Sequence, residues 1–145
     1  MVHVTRQFEA NAEQAAAIEY LKDFGNATQW DPGSVSNVRI DDGPVGVGSQ
    51  WHNTSKLLFI NTELTYELTD LRENGITFTG TNKTATSVDT IDVLPGTRPG
   101  SVRITYDSNV TFNGKAKYGD PFITLIFLKL AGETVDGITR ELQRR

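Results

Sequence analysis

Residues 102–112 read VRITYDSNVTF, and this stretch has the clearest two-residue period in the chain. One alternating set is mostly apolar and the other is polar; the first is Val102, Ile104, Tyr106, Ser108, Val110 and Phe112, and the second is Arg103, Thr105, Asp107, Asn109 and Thr111. Such alternation is typical of an antiparallel strand with one covered face and one wet face. The stretch therefore predicts a sheet whose apolar face must be buried by another element.

The same period continues upstream of this stretch. Turn sequences such as Asp42-Gly43-Pro44, Asn74-Gly75 and Pro99-Gly100 separate the strand-like runs. A short run containing Val2, Val4 and Phe8 begins the chain with the same approximate alternation. Together these patterns predict seven strands, with the six after the first at 35–41, 48–58, 61–71, 75–81, 85–94 and 100–113.

Three segments have helical character. The segment from Asn11 to Leu21 is rich in Ala, Glu and Gln, and Asn11 followed by Gln14 resembles a capping box. A second short helix is predicted from Leu21 to Thr28, before the helix-stopping Pro32. A long helix is predicted at about 118–143. It is the only predicted element long enough to cover the sheet, and a twisted sheet around a straight helix leaves room for a pocket.

Composition narrows the class of protein. The chain of 145 residues fits a single domain over 1–145, and its net charge of −4 argues against a nucleic-acid binder. There are no cysteines, which excludes disulfides and thiolate chemistry. The most apolar run, Phe122 to Leu130, is too short for a membrane span, and the N-terminus has no signal-peptide pattern. We therefore expect a cytoplasmic protein with no membrane insertion.

No metal or cofactor motif is present in the sequence. His3 and His52 are the only histidines, and neither stands in a metal-ligand spacing such as H-E-x-x-H. His52 follows Trp51, so it is expected to face water if Trp51 faces the core. The glycine-rich GPVGVGS at 43–49 lacks the Gly-Lys-Ser/Thr ending of a phosphate loop and does not lead into a helix. We therefore predict no metal and no cofactor, and a strand-to-strand turn at 43–49.

Four stretches in order carry a resemblance to a known superfamily. They are FGNATQWDP at 24–32, DDGPVGVGS at 41–49, LTYELTDL at 64–71 and VRITYDSNVTF at 102–112. The chain resembles, over essentially its whole length, the SRPBCC superfamily of START-type lipid carriers and bacterial polyketide cyclase/dehydrase-like proteins. The resemblance implies an α+β helix-grip fold: a seven-stranded antiparallel sheet wrapped around a long C-terminal helix, with two short helices after strand 1. It also implies an internal cavity for a hydrophobic small molecule.

The alternation predicts which side chains face that cavity. Asn53, Ser55, Asp89 and Ser108 are poor choices for a dry core, so the inward set favours a pocket, although ordinary core packing explains any single member. A register error of one residue would turn Asp89 outward. The predicted ligand-binding residues are Trp51, Asn53, Tyr66, Phe78, Asp89, Ile91 and Tyr106 of the sheet and Phe122 and Ile126 of the long helix.

Trp30 has two interpretations. In helix-grip folds the two short helices flank the cavity mouth, which would put Trp30 near the entrance and add it to the ligand-binding set. Alternatively, Trp30 only packs where the second helix ends, while Asp31 turns the chain before Pro32. The second interpretation is favoured by the sequence.

Two functions from different classes are compatible with such a cavity. The first is binding or carrying a small hydrophobic or aromatic, lipid- or polyketide-like molecule. The second is a cyclase/dehydrase-type enzyme, in which Asp89 is a candidate acid or base and Tyr66 and Tyr106 are the other inward titratable groups. No Arg or His obviously points inward, which favours binding. The apolar first half of the long helix leaves a third role open, that of a protein-interaction module, and a homodimer is compatible with it.

Overall fold

The computed structural model describes residues 2–57, 60–113 and 120–144, without the side chains of 57, 60 and 120–129. Seven strands and three α-helices follow one another along the chain. They are β1 (Val2–Asn11), α1 (Gln14–Leu21), α2 (Ala27–Trp30), β2 (Ser34–Arg39), β3 (Gln50–Leu57), β4 (Ile60–Arg72), β5 (Gly75–Thr81), β6 (Ala85–Pro95), β7 (Ser101–Phe112) and α3 (Asp120–Gln143). The strands after the first, and the long helix, lie within two residues of their predicted bounds.

All seven strands form one antiparallel sheet in the order β1-β7-β6-β5-β4-β3-β2. From β2 to β7 each strand pairs with its neighbour in sequence, while β1 pairs with β7 at the far edge. Two irregularities bend the sheet, one in β2 between Ser34 and Ser36 and one in β4 between Leu68 and Asp70. Bulges of this kind increase local twist, which helps the sheet to curve around a helix.

The start of the chain differs from the prediction. β1 continues through Asn11, which pairs with Ser101 of β7, so Asn11 is a strand residue and not a helix cap. Glu13 precedes α1 instead and makes no side-chain cap bond. Gln14 has a tertiary role: its amide nitrogen donates to Asn74 Oδ1 and to the Val93 carbonyl, both at 2.8 Å. The capping-box prediction is therefore wrong, because strand pairing with β7 overrides the local helix signal.

The predicted second helix is divided into two short pieces. Asp23 Oδ1 accepts a hydrogen bond from the Gly25 amide at 2.9 Å and begins a 3₁₀ turn, Phe24–Asn26. α2 follows directly and ends at Trp30, two residues beyond the predicted end at Thr28. The Gly43–Ser49 segment lies between β2 and β3, as predicted, with Gly43 and Gly48 at φ angles of 90° and 96°.

The helices cover one face of the sheet, and the apolar side chains divide into two clusters. The larger joins Leu21 of α1 and Ile138 and Leu142 of α3 to the inward residues of the sheet, among them Trp51 and Phe78. The smaller, beside the α3 residue Ala131, is built from Val2, Val4, Ala85, Val110 and Phe112. This is the predicted helix-grip fold. No helix in the described ranges is long and apolar enough to cross a membrane.

α3 approaches α2 so closely that a side chain is excluded between them. A Cβ atom on Gly137 would lie 2.2 Å from the carbonyl oxygen of Trp30. Gly132, on an exposed part of the same helix, has open space around it. The contact at Gly137 therefore restrains how α3 packs against the end of α2.

Candidate functional site

A cavity of about 140 Å³ lies between the concave face of the sheet and α3, next to the smaller apolar cluster. Its wall is apolar with a polar part. The apolar lining residues are Val4, Leu64, Ala85, Val110, Phe112, Leu130 and Ala131, and the polar ones include Asp31, Ser55, Tyr66, Ser87, Asp89, Tyr106, Ser108 and Thr134. Exposed Asn82 and Thr84, at the β5–β6 turn, lie at its edge. Such a wall suits a small, largely apolar molecule.

Three of the predicted ligand-binding residues lie on this wall: Tyr66, Asp89 and Tyr106. The sheet register explains their position, because Asp89 pairs with Ser108 across β6 and β7, and Tyr66 pairs with Gly80 across β4 and β5. Their contact with a ligand remains a prediction. The side chains of two others, Phe122 and Ile126, lie outside the described residues.

Trp51, Phe78 and Ile91 face the same side of the sheet but do not line the cavity, contrary to the prediction. They are at most 1% exposed. The ring of Phe24, from the 3₁₀ turn, covers this part of the sheet, with its centroid 4.8 Å from that of Phe78 and 6.1 Å from that of Trp51. The predicted pocket position is therefore filled by protein, and the cavity lies further along the sheet.

Asn53 is also absent from the cavity wall, although it is fully buried. Its amide is satisfied by its neighbours: the nitrogen donates to Asn37 Oδ1 at 2.6 Å and the oxygen accepts from Ser55 Oγ at 2.8 Å. A third contact joins its nitrogen to Ser34 Oγ at 3.3 Å. Asn53 is thus a structural group that ties β3 to β2, and its burial needs no ligand.

Trp30 packs at the end of α2, as the favoured interpretation predicts, and it is not among the described residues that line the cavity, although its neighbour Asp31 is. It is 3% exposed, and its ring meets the ring of Tyr106 edge-on, with centroids 6.3 Å apart and planes at 79°. Among the described residues, its indole Nε1 has no hydrogen-bond partner. Trp30 therefore supports a wall residue from behind.

Tyr66 is held in place from two sides. Its ring stacks on Phe24 with centroids 4.2 Å apart and planes at 23°. Across the β4–β5 pair, a Cβ on Gly80 would lie 2.6 Å from the ring carbon Cζ, so only glycine leaves room for the ring. Burial raises the pKa of the Tyr66 hydroxyl well above its usual value, and the charge of Asp89 raises it further. Tyr66 therefore remains protonated and able to donate.

Asp89 is the central polar group of the wall. It is 7% exposed, and burial raises its pKa from 3.8 to about 6. The charge of Asp31 adds to this rise, whereas the nearby hydroxyls of Ser108, Ser87 and Tyr66 oppose it. Ser87 Oγ lies 3.3 and 3.4 Å from the two carboxylate oxygens. A carboxyl group with this pKa can exchange a proton near neutral pH.

Asp31 is a second carboxyl group on the wall, which the sequence analysis placed only in a turn. It does form that turn: Oδ1 accepts from the Gly33 amide at 2.9 Å and Oδ2 accepts from Ser34 Oγ at 3.0 Å. Burial raises the pKa of this carboxyl too. Ser87 could have been found from sequence, because it shares a strand face with Asp89. Asp31 could not, since only the tertiary fold brings the α2–β2 turn to the sheet face.

The charge in this cavity has one sign. Its described lining residues include two carboxyl groups and no Lys, Arg or His. Neither carboxyl group forms an ion pair with any residue in the described ranges. The same part of the chain contains no group of three side chains suited to hold a metal ion. The site can therefore hold an apolar body, accept hydrogen bonds and move a proton.

The family follows from a sequence comparison. Residues 1–144 match the family model described as polyketide cyclase / dehydrase and lipid transport. The chain belongs to this family. It is a member of the SRPBCC superfamily, as the resemblance of its four sequence stretches indicates. No curated protein matches this SRPBCC chain significantly in sequence.

Solved structures share the fold of this SRPBCC protein. A START superfamily protein from Mycobacterium smegmatis has a TM-score of 0.80 at 12% identity, with 98% of this chain and 97% of that chain covered. An aromatase/cyclase, Zhui, from a Streptomyces species has a TM-score of 0.80 at 11% identity, with 99% and 94% covered. A protein from Thermus thermophilus reaches 0.79 at 10% identity, with 97% and 96% covered. At such low identity these similarities establish the fold alone.

Proposed function

We propose that the protein binds a small, largely hydrophobic molecule in the cavity between the sheet and α3. The observation that supports this most is the cavity itself, about 140 Å³ of space between the concave face of the sheet and α3. Its wall combines aliphatic side chains with a few convergent polar groups, which is the usual composition of a small-molecule site. The family description, which includes lipid transport, is consistent with this role.

Filling the cavity tests this proposal. Ala131 lies on α3, is 4% exposed and lines the cavity. Ala131→Leu places a larger apolar side chain in the void at little cost in helix propensity. We expect the affinity of this variant for a neutral two-ring probe, 2-naphthalenemethanol, to be at least about tenfold lower than that of wild type, as measured by titration calorimetry. The melting temperature of the variant should not be lower than that of wild type.

Ala15→Leu is the matched control, because Ala15 is an exposed residue of α1. It carries the same substitution in the same kind of element, away from the cavity, and should leave binding unchanged. Equal affinities of wild type, Ala131→Leu and Ala15→Leu would place the probe elsewhere on the protein and contradict the proposal.

A second candidate function is cyclase/dehydrase-type catalysis in the same cavity. The observation that favours it is the position of Asp89, a buried carboxyl group with a pKa of about 6, beside the protonated Tyr66. The carboxylate could take a proton from a carbon between two carbonyl groups, and the carbanion could add to a ketone of the same chain, forming a C–C bond while the ketone oxygen takes the proton from the acid and becomes a hydroxyl group. Removal of the second proton from the same carbon, with protonation of that hydroxyl by the acid, would then expel water and leave a C=C bond. Asp89→Asn should then abolish turnover of a linear poly-β-ketone substrate while the substrate still binds. Undiminished turnover in this variant would remove Asp89 from the mechanism.

A further inference from the structure

We propose that the molecule bound in this cavity carries a protonated nitrogen, an ammonium or amidinium group, at the end of a hydrophobic body. This inference rests on the proposed function and specifies the chemical class of its ligand. Asp31 and Asp89 reach the same cavity from the α2–β2 turn and from β6. They provide two carboxyl groups in one enclosed space, while the described lining residues provide no cation.

Among the described residues, neither of these two carboxyl groups has a charged partner. Asp31 is bonded only to its own turn, through the Gly33 amide and Ser34 Oγ. Asp89 is approached by hydroxyl groups, which carry no charge: those of Ser108, Ser87 and Tyr66, with Ser87 Oγ at 3.3 and 3.4 Å. Asp89 is more than nine-tenths buried and lines the cavity. Buried carboxylates are normally paired with a cation, and the described part of the cavity wall offers none, so a positive charge on the ligand would complete the arrangement.

Other ligand classes fit the wall less well. An anionic ligand would add a third negative charge to two carboxyl groups in a space of low dielectric, where repulsion is strong. A neutral ligand with one hydroxyl group could donate to one carboxylate oxygen but would leave the mutual repulsion of the pair in place. A protonated nitrogen can donate to a carboxylate oxygen, and its positive charge reduces the repulsion between the two carboxyl groups, which offsets the cost of taking that charge out of water.

The groups that face Asp89 from the surrounding elements determine how such binding should depend on pH. They are Asp31 from the α2–β2 turn, Tyr66 from β4 and Tyr106 from β7. The described lining residues of β1 and α3 are not titratable: Val4, Leu130, Ala131 and Thr134. Burial raises the pKa of both tyrosines, so they stay neutral, and among the described lining residues only the two carboxyl groups change charge. Preference for a cationic ligand should therefore increase as pH rises through about 6.

Three two-ring probes that differ in charge test the inference by calorimetry. They are 2-naphthylmethylamine, which is protonated at neutral pH, the neutral 2-naphthalenemethanol, and the anionic 2-naphthoate. At pH 7.5 we expect the amine to bind about tenfold or more tightly than the alcohol, and the naphthoate to bind weakest. The preference for the amine over the alcohol should decrease at pH 5, where Asp89 is mostly protonated.

Two variants assign the preference to the cavity. Asp89→Asn should bring the ratio of amine to alcohol affinity close to one. Asp31→Asn should reduce the same ratio, and it replaces the first variant if that variant does not fold. Asp92→Asn is the control, since Asp92 lies on the same strand but pairs with Arg72 outside the cavity, at 3.0 Å. It should leave the ratio unchanged.

The outcomes separate the inference from the function on which it rests. Equal binding of amine and alcohol, with both weakened about tenfold or more by Ala131→Leu, would overturn the inference and leave the binding function standing. Absence of binding by all three probes would overturn the binding function and the inference with it. An amine preference that survives both Asp89→Asn and Asp31→Asn would place the cation site elsewhere and overturn the inference.

Discussion

Asp89 is buried, and its carboxyl group is costly to bury in the charged form. It lies on the inward face of β6 between Ser87 and Ile91, and its pKa rises because the charged form is disfavoured there. A carboxyl group whose pKa is higher in the folded than in the unfolded state stabilises the fold only while it is protonated. This contribution is fully present below about pH 4 and is lost as pH rises to about 6.

Asp89→Asn should therefore stabilise the protein relative to wild type in a pH-dependent way. Because the asparagine cannot ionise, the difference in unfolding free energy between variant and wild type should grow by about 2–3 kcal/mol between pH 4 and pH 7. Urea unfolding across this range measures it. Asp92→Asn, on the opposite face of the same strand, should show no comparable growth. A flat difference for Asp89→Asn would mean that its carboxyl group is not destabilised by burial.

At the scale of residues, the sequence predicts which side of the sheet a strand residue faces, because this depends on alternation, but it does not predict what that residue contacts. Asp89, Tyr66 and Tyr106 lie on the cavity wall because strand period alone sets their side of the sheet. Asn53 and Trp51 lie on the predicted side of the sheet but not on the cavity wall. Their surroundings depend on which residues of other segments pack against them, and strand period does not predict this. The part played by Phe24 and Asp31 comes from contacts between distant segments, for which the sequence carries no local signal.

The placement of α3 against α2 depends on one glycine. Gly137 lies so close to the Trp30 carbonyl that a Cβ atom at this position would clash with the carbonyl oxygen. Trp30 in turn supports Tyr106 on the cavity wall, with ring centroids 6.3 Å apart. A shift at this helix contact would therefore be transmitted directly to the site.

Gly137→Ala should destabilise the protein by more than about 2 kcal/mol, although alanine is the better helix former. Gly132→Ala, on the same helix with open space around it, should stabilise by about 0.5–1 kcal/mol. Both variants replace glycine with alanine in the same helix. Comparing their unfolding free energies by chemical denaturation therefore separates the effect of packing from that of helix propensity. A stabilised Gly137→Ala variant would show that the close contact of α3 with α2 does not restrain the fold.

At the scale of elements, the strands were more predictable than the short helices. Apart from the β3–β4 connection, the strands after the first are bounded by segments that contain Gly, Pro or Asn, which act locally. β1 extends past its apolar run because β7 offers a partner for every residue through Asn11. The α1 boundary and the division of the second helix follow from that pairing and from the Asp23 turn, so helix propensity alone could not place them.

Over the whole molecule, one face of the sheet is closed by two clusters with a cavity beside the smaller one. Element order and periodicity are enough to predict this architecture, because only α3 can cover so large an apolar face. The location of the cavity cannot be predicted from element order and periodicity. It depends on the volumes of the side chains that enter from the 3₁₀ turn and from α3, and on the curvature that the two bulges give to the sheet.

An NMR titration with 2-naphthalenemethanol tests the central claim, that this space is a binding site, most directly. We predict that backbone amide shifts cluster on cavity residues such as Ala85, Val110 and Ala131 and saturate at one equivalent of probe. The outer surface offers an alternative location at the β2 residues Val35 and Val38, which are 59% and 60% exposed. Shifts confined to those exposed valines, with none on the cavity residues, would contradict the account.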